Sequence, residues 1–125
     1  MIGDAKKTVN GLRLAKPNEY YIYASPSPGM HRLWVCIKDA EPVSDSFFGC
    51  FDFFTHTNGS LFVVSCGYTG AGSGCHSSRA DAIVALKKGF KKIGRSGYYK
   101  FIIETIATKQ GLSPRWQYPS ESKRG

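Results

Sequence analysis

Apolar and polar positions change period along this chain. From Glu19 to Ala24 the sequence is strand-like and ends at Ser25-Pro26-Ser27-Pro28-Gly29, a turn by composition. From His31 to Lys38 the two classes alternate: Leu33, Val35 and Ile37 point one way, Arg32, Trp34, Cys36 and Lys38 the other. Ser46 to Thr55 is dense in phenylalanine and reads as a third strand, with Phe47, Phe51 and Phe53 on one face and Phe48 and Phe54 on the other. Asn58-Gly59 is a hairpin signal that joins it to Ser60–Cys66. A short strand near Val9 to Leu14 precedes them all.

Helical periodicity follows. A first helix is expected over about Arg79 to Lys91, capped by Ser78, with Asp81 at the acidic position of a capping box. Ile83, Leu86 and Phe90 share its apolar side, and Lys87, Lys88, Lys91 and Lys92 its polar side. Gly94-Arg95-Ser96-Gly97 announces a second helix over about Tyr98 to Gln110, ended by Gly111. The predicted class is α+β: an antiparallel sheet of three to five strands followed by two helices packed on one face. The domain spans 1–112, and 113–125 is a C-terminal tail whose Trp116 and Tyr118 suggest docking, on another subunit or elsewhere, with a loose terminus as the equal alternative. The second sheet face, with Trp34 and several phenylalanines, is expected to be exposed and to drive homo-oligomer formation.

A chain of 125 residues has room for one modest core. Its net charge of +8 points to an anionic partner. Most of the excess lies between Arg79 and Lys109, where eight basic residues face two acidic ones, a net +6. No signal peptide and no membrane-spanning stretch is legible, so a cytoplasmic location without membrane contact is expected. The four cysteines, Cys36, Cys50, Cys66 and Cys75, lack metal-type spacing, and reduced thiols are the simplest reading. No metal and no cofactor is expected. His56, Cys66, Cys75 and His76 form a zinc site only if the fold happens to gather them.

The chemistry concentrates after Cys66. Gly67, Gly70, Gly72 and Gly74 read as a flexible loop that runs into a helix start at Ser77, Ser78 and Arg79. Glycine backbone and the unpaired N–H groups of a helix N-terminus together suit a phosphate. Neither the dinucleotide fingerprint nor the Walker A loop is matched: Cys75 stands where a third glycine would, and no G-K-[ST] follows. The candidate ligand-binding residues are Gly70, Gly72, Ser73, Gly74, His76, Ser77, Ser78 and Arg79, with Arg95 for phosphate and Tyr98 for stacking. The linker reading, in which the glycines only join strand to helix, stands beside it. No catalytic set is apparent: the acids are scattered, and the adjacency of Cys75 and His76 says nothing about their geometry.

The run Gly70-Ala71-Gly72-Ser73-Gly74-Cys75-His76-Ser77-Ser78-Arg79-Ala80-Asp81-Ala82, followed by an amphipathic helix and Gly94-Arg95-Ser96-Gly97, resembles the Thoeris anti-defence proteins of phages. The resemblance covers about Phe47 to Leu112. It implies an oligomeric, non-enzymatic protein that binds a cyclic nucleotide signal of the cyclic ADP-ribose type and keeps it from a defence effector. Two alternatives come from the residues themselves. One is a basic protein that binds nucleic acid, or a nucleic-acid-loaded complex such as a CRISPR effector, through Lys87, Lys88, Lys91, Lys92 and Arg95. The other is a small ribonuclease or nucleotide-processing enzyme using histidine and lysine as acid and base.

Overall fold

The computed structural model describes residues 11–49, 51–109 and 111–118, without the side chain of Ser73. The expectations placed on Val9, Cys50, the end of the second helix at Gln110 and the tail beyond Tyr118 lie outside the described residues. In chain order the elements are β1 (Arg13–Leu14), β2 (Tyr20–Ala24), β3 (Leu33–Ile37), β4 (Glu41–Pro42), a 3-10 turn (Ser46–Phe48), β5 (Phe53–Asn58), β6 (Leu61–Cys66), β7 (Gly72–His76), α1 (Arg79–Thr108) and β8 (Trp116–Gln117). The class is α+β, and all described strand pairs are antiparallel. The single sheet expected from the sequence is divided in three: β4-β5-β6-β7, the β2–β3 ribbon and the β1–β8 pair.

Period-two alternation holds best in β5 and β6, which pair from Phe53↔Cys66 to Asn58↔Leu61. The turn between them is Gly59-Ser60, with Gly59 at φ 67°, so Asn58 closes the ladder rather than opening the turn. Phe53, Val64 and Cys66 face α1 and join Phe48, Tyr68, Ala82, Phe90, Tyr98, Ile102 and Trp116 in one core. Phe54, His56, Val63 and Ser65 alternate to the opposite face and are buried too. The β2–β3 ribbon lies on that side: Tyr20 packs against Phe54 with ring centroids 5.0 Å apart and planes tilted by 44°. Trp34 and Ile22 press against Gly70. The sheet face expected to be exposed is therefore covered by the same chain, and the case for self-association through it loses its basis.

Two further expectations are corrected. Residues Ser46–Phe48 form a 3-10 turn capped by Asp45, whose carboxylate accepts from the Phe47 N–H, and the strand starts only at Phe53. Phe48 and Phe53, assigned to opposite faces from spacing, meet in one core with ring centroids 5.0 Å apart. The two helices are one, α1, with a single non-helical residue inside it. Gly94 sits at φ 76°, ψ 168°, where the helix kinks. That conformation belongs almost solely to glycine. One residue absorbs the change of direction, so Arg95, Ser96 and Gly97 continue the helix instead of linking two.

The segment written as a tail packs into the domain as far as it is described. Trp116 packs against Tyr68 with ring centroids 4.9 Å apart, and β8 pairs with β1. Arg115 is buried with three backbone carbonyls, of Lys16, Pro17 and Glu19, at Nη1. Both its outer nitrogens and Nε are thus satisfied by Asp52 and this turn.

Candidate functional site

The Gly-rich stretch is not a loop. Gly72–His76 is strand β7, at the edge of the four-stranded sheet, with a bulge opposite Phe62–Val64. Glycine is poor in isolated strands, but here β6 supplies a partner already fixed by the core. The turn before it is closed by its own amides: Gly70 N–H donates to Cys66 O at 2.8 Å, and Ala71 N–H to Thr69 Oγ1 at 3.2 Å. Gly70 itself is buried beneath Trp34 on the far side of the sheet from α1.

The helix start is equally occupied. Ser78 Oγ accepts from the Asp81 N–H at 3.0 Å, the expected cap. Ser77 Oγ donates to the Asp81 carboxylate at 3.3 Å. That carboxylate in the first turn already answers the positive end of the helix dipole. Arg79 turns away from the helix mouth. Its Nε is 2.8 Å from Thr55 Oγ1 and 3.0 Å from Glu41 Oε1, and Nη2 donates to Pro42 O at 2.8 Å. Arg95 donates to the carbonyls of Phe47 and Phe48 and lies over the Phe90 ring. Both arginines therefore tie α1 to the segment before β5.

What does open in this region is a cleft of about 500 Å³ between the helix-facing side of the sheet and α1. Of the sequence-derived candidates, Gly72, Gly74, His76 and Tyr98 line it, while Gly70, Ser77, Ser78, Arg79 and Arg95 do not. The backbone of Ser73 pairs with Val64 between two lining glycines. The remaining wall was missed from spacing: Phe53, Val64 and Cys66 from the sheet, and Leu86, Gly89, Phe90, Ile93 and Phe101 from the helix. A glycine in mid-helix at position 89 was the one sequence signal for it.

The cleft is mostly apolar, of a size ordinary for small-ligand sites. Burial pushes the Cys66 thiol up, and pushes the Tyr98 phenol well up with the Cys66 thiol beside it. Both stay protonated at neutral pH, so Cys66 is a poor nucleophile. The described residues that line the cleft include no lysine or arginine. Lys88 and Lys92 follow Ala85, a lining residue, by three and seven positions, and so stand along the same edge of the helix. Both are exposed and have no ion-pair partner among the described residues. Lys87, by contrast, is bound to Asp45 at 2.7 Å.

On the opposite face, His56 Nε2 lies 3.0 Å from Ser65 Oγ, both buried beneath the β2–β3 ribbon. Burial lowers the His56 pKa. Among the described residues no three of His, Cys, Asp and Glu converge on a point, and no helix is long and apolar enough to cross a membrane. No protein-family model, no curated protein and no solved structure matches this chain.

Proposed function

We propose that the protein binds a nucleotide-type signal and holds it without turnover, in the manner of the Thoeris anti-defence proteins that the Gly70–Ala82 run resembles. The base would enter the cleft between β7 and α1, and the phosphates would rest on the exposed lysines of α1. The single observation that carries this reading is the aromatic-walled cleft, with Phe53, Phe90, Tyr98 and Phe101, beneath a helix whose exposed Lys88 and Lys92 have no ion-pair partner among the described residues. Aromatic rings suit a base face, and ammonium groups suit phosphate. The backbone amides of Gly70 and Ala71, spent on internal bonds, have no part in it. A cyclic nucleotide of the cyclic ADP-ribose type is the proposed ligand, in the host cytoplasm.

Calorimetry with cyclic ADP-ribose and a cyclic dinucleotide tests this directly. Binding, with the ligand recovered unchanged by mass spectrometry after denaturation, supports sequestration. Recovery of a processed product would replace it with an enzyme. Failure of every nucleotide to bind would end the reading.

A second reading rests on the helix itself. Lys88, Lys91, Lys92 and Lys100 are exposed along α1 without ion-pair partners among the described residues, a surface for a polyanion such as nucleic acid. Salt separates the two. Binding along a duplex weakens steeply as salt rises because counterions are released, whereas a cupped ligand with few phosphates responds far less.

A further inference from the structure

We infer that the ligand of the cleft is gripped at two points, its phosphate by the His76 imidazole on β7 and its base by the Tyr98 hydroxyl on α1. The inference rests on the nucleotide reading above and specifies it. His76 reaches the cleft through a bulge. In the β6–β7 ladder Ser73 stands opposite Val64, and His76 stands opposite Phe62. Three steps along β7 thus match two along β6, and Gly74, at φ 58°, lies within the irregular stretch. In a regular ladder Cys75 would stand opposite Phe62 on the helix-facing side, with His76 turned to the other. The bulge exchanges them: His76 lines the cleft, while Cys75 is exposed and does not. Re-aiming a side chain is what bulges beside functional sites do. No lysine, arginine or carboxylate lines the cleft, so among the described lining residues His76 alone can carry positive charge to a phosphate. Its imidazole has no hydrogen-bond partner among the described residues.

The helix wall carries a second unspent group. Tyr98 is 8% exposed, and its hydroxyl is buried with no hydrogen-bond partner among the described residues. The Cys66 thiol beside it is a weak acceptor and lies outside hydrogen-bond geometry. A buried phenol usually finds a partner, because leaving one unpaired costs stability. A purine packed among Phe53, Phe90 and Phe101 brings ring nitrogens that accept such a bond. The hydroxyl is closed to solvent, so the ligand meets it by shifting the Tyr98 ring, a side-chain movement common on binding.

The test uses the full chain, with calorimetry on adenosine, adenosine 5′-monophosphate and cyclic ADP-ribose, and thermal melts to establish folding. Three variants stand beside the wild type: His76→Ala, the exchange of Cys75→His with His76→Cys, and Tyr98→Phe. The exchange keeps composition and net charge and moves only the imidazole out of the cleft. Wild type should bind the monophosphate about tenfold more tightly than adenosine. His76→Ala and the exchange should abolish that margin and leave adenosine unchanged. Tyr98→Phe should weaken all probes alike, about tenfold, with a melting midpoint at or above wild type because an unpaired hydroxyl has gone. A margin that survives both His76 variants would overturn the phosphate contact. Full affinity in Tyr98→Phe would overturn the base contact, and a lowered midpoint with it would assign the hydroxyl to the fold. Cyclic ADP-ribose binding that no variant alters would overturn both contacts and leave the nucleotide reading in place. Failure of the wild type to bind any of the three probes would overturn that reading as well.

Discussion

Arg115 closes on Asp52 across 63 residues of sequence, with Nε 2.7 Å from Oδ2 and Nη2 3.1 Å from Oδ1. The side chains are 6% and 14% exposed, and the indole N–H of Trp116 donates to the same Oδ2 at 2.9 Å. The guanidinium also lies 3.9 Å from the centroid of Tyr20. This pair fastens the C-terminal segment and the β1–β2 turn to the start of β5. Truncating one partner strands the other's charge in the interior, so Arg115→Ala is expected to cost about 3–5 kcal/mol. Trp116→Phe keeps an aromatic ring but loses the indole N–H bond and some buried volume, for about 1–3 kcal/mol. Chemical denaturation of the two variants checks the ranking; equal losses would contradict it.

Arg79 separates a structural role from a binding one. It spans Thr55, Glu41 and Pro42 and does not line the cleft. Arg79→Ala should lower stability by about 1–2 kcal/mol, the range for lost hydrogen bonds to a charged group that is partly exposed. Nucleotide affinity in the folded variant should stay at the wild-type value. Calorimetry showing a tenfold loss would return Arg79 to the site.

His56 gives the protein an acid limit. Burial holds its pKa below the usual 6.5, so the unfolded chain takes up a proton more readily than the folded one. Stability is then full above the unfolded pKa and falls as pH drops through about 6.5. Asp39 and Asp45, held low by hydrogen bonds from Thr57 and Lys87, add losses only near the carboxylate range. Melting temperature should therefore decline between neutrality and pH ~5, and His56→Gln should flatten that decline. A wild-type profile flat over this interval would refute the assignment.

Gly94 is the one glycine of α1 with a positive φ, and its backbone conformation cannot be exchanged cheaply. Its Cβ would have space, but its φ of 76° with ψ 168° lies in a region nearly closed to other residues. Gly94→Ala should cost about 1–3 kcal/mol, or straighten the kink. Either outcome moves Tyr98 and Phe101 relative to Phe90 and so alters the cleft. Unfolding curves together with Tyr fluorescence distinguish the two; no change in either would show that the kink is not maintained by this residue.

Gly67 illustrates how close approach is hidden in a sequence. A Cβ there would fall 1.9 Å from Asp52 Oδ2, in the path of the carboxylate that Arg115 grips. Nothing local distinguishes this glycine from Gly70 or Gly74. Gly67→Ala should therefore disturb the Asp52–Arg115 pair and destabilise by about 3 kcal/mol or more, as breaking a buried ion pair does. Gly59→Ala on the open hairpin turn makes the comparison, its cost limited to the strained φ of 67°.

The sequence determined what depends on neighbours in the chain. Alternation placed β2, β3 and the β5–β6 hairpin, Ser78 and Asp81 marked the helix start, and the lysines of α1 were visible as a charged face. These signals are local, because side-chain period and capping act within a few residues. Tertiary structure decided the rest. It converted Gly72–His76 from loop to strand, since β6 offered a ladder that glycine alone would not form. It spent Arg79 and Arg95 on carbonyls and side chains 24 to 48 residues away, which no spacing rule anticipates. And it set the cleft where α1, bent at Gly94, fails to close over β7, because a cavity is what packing between distant elements leaves unfilled.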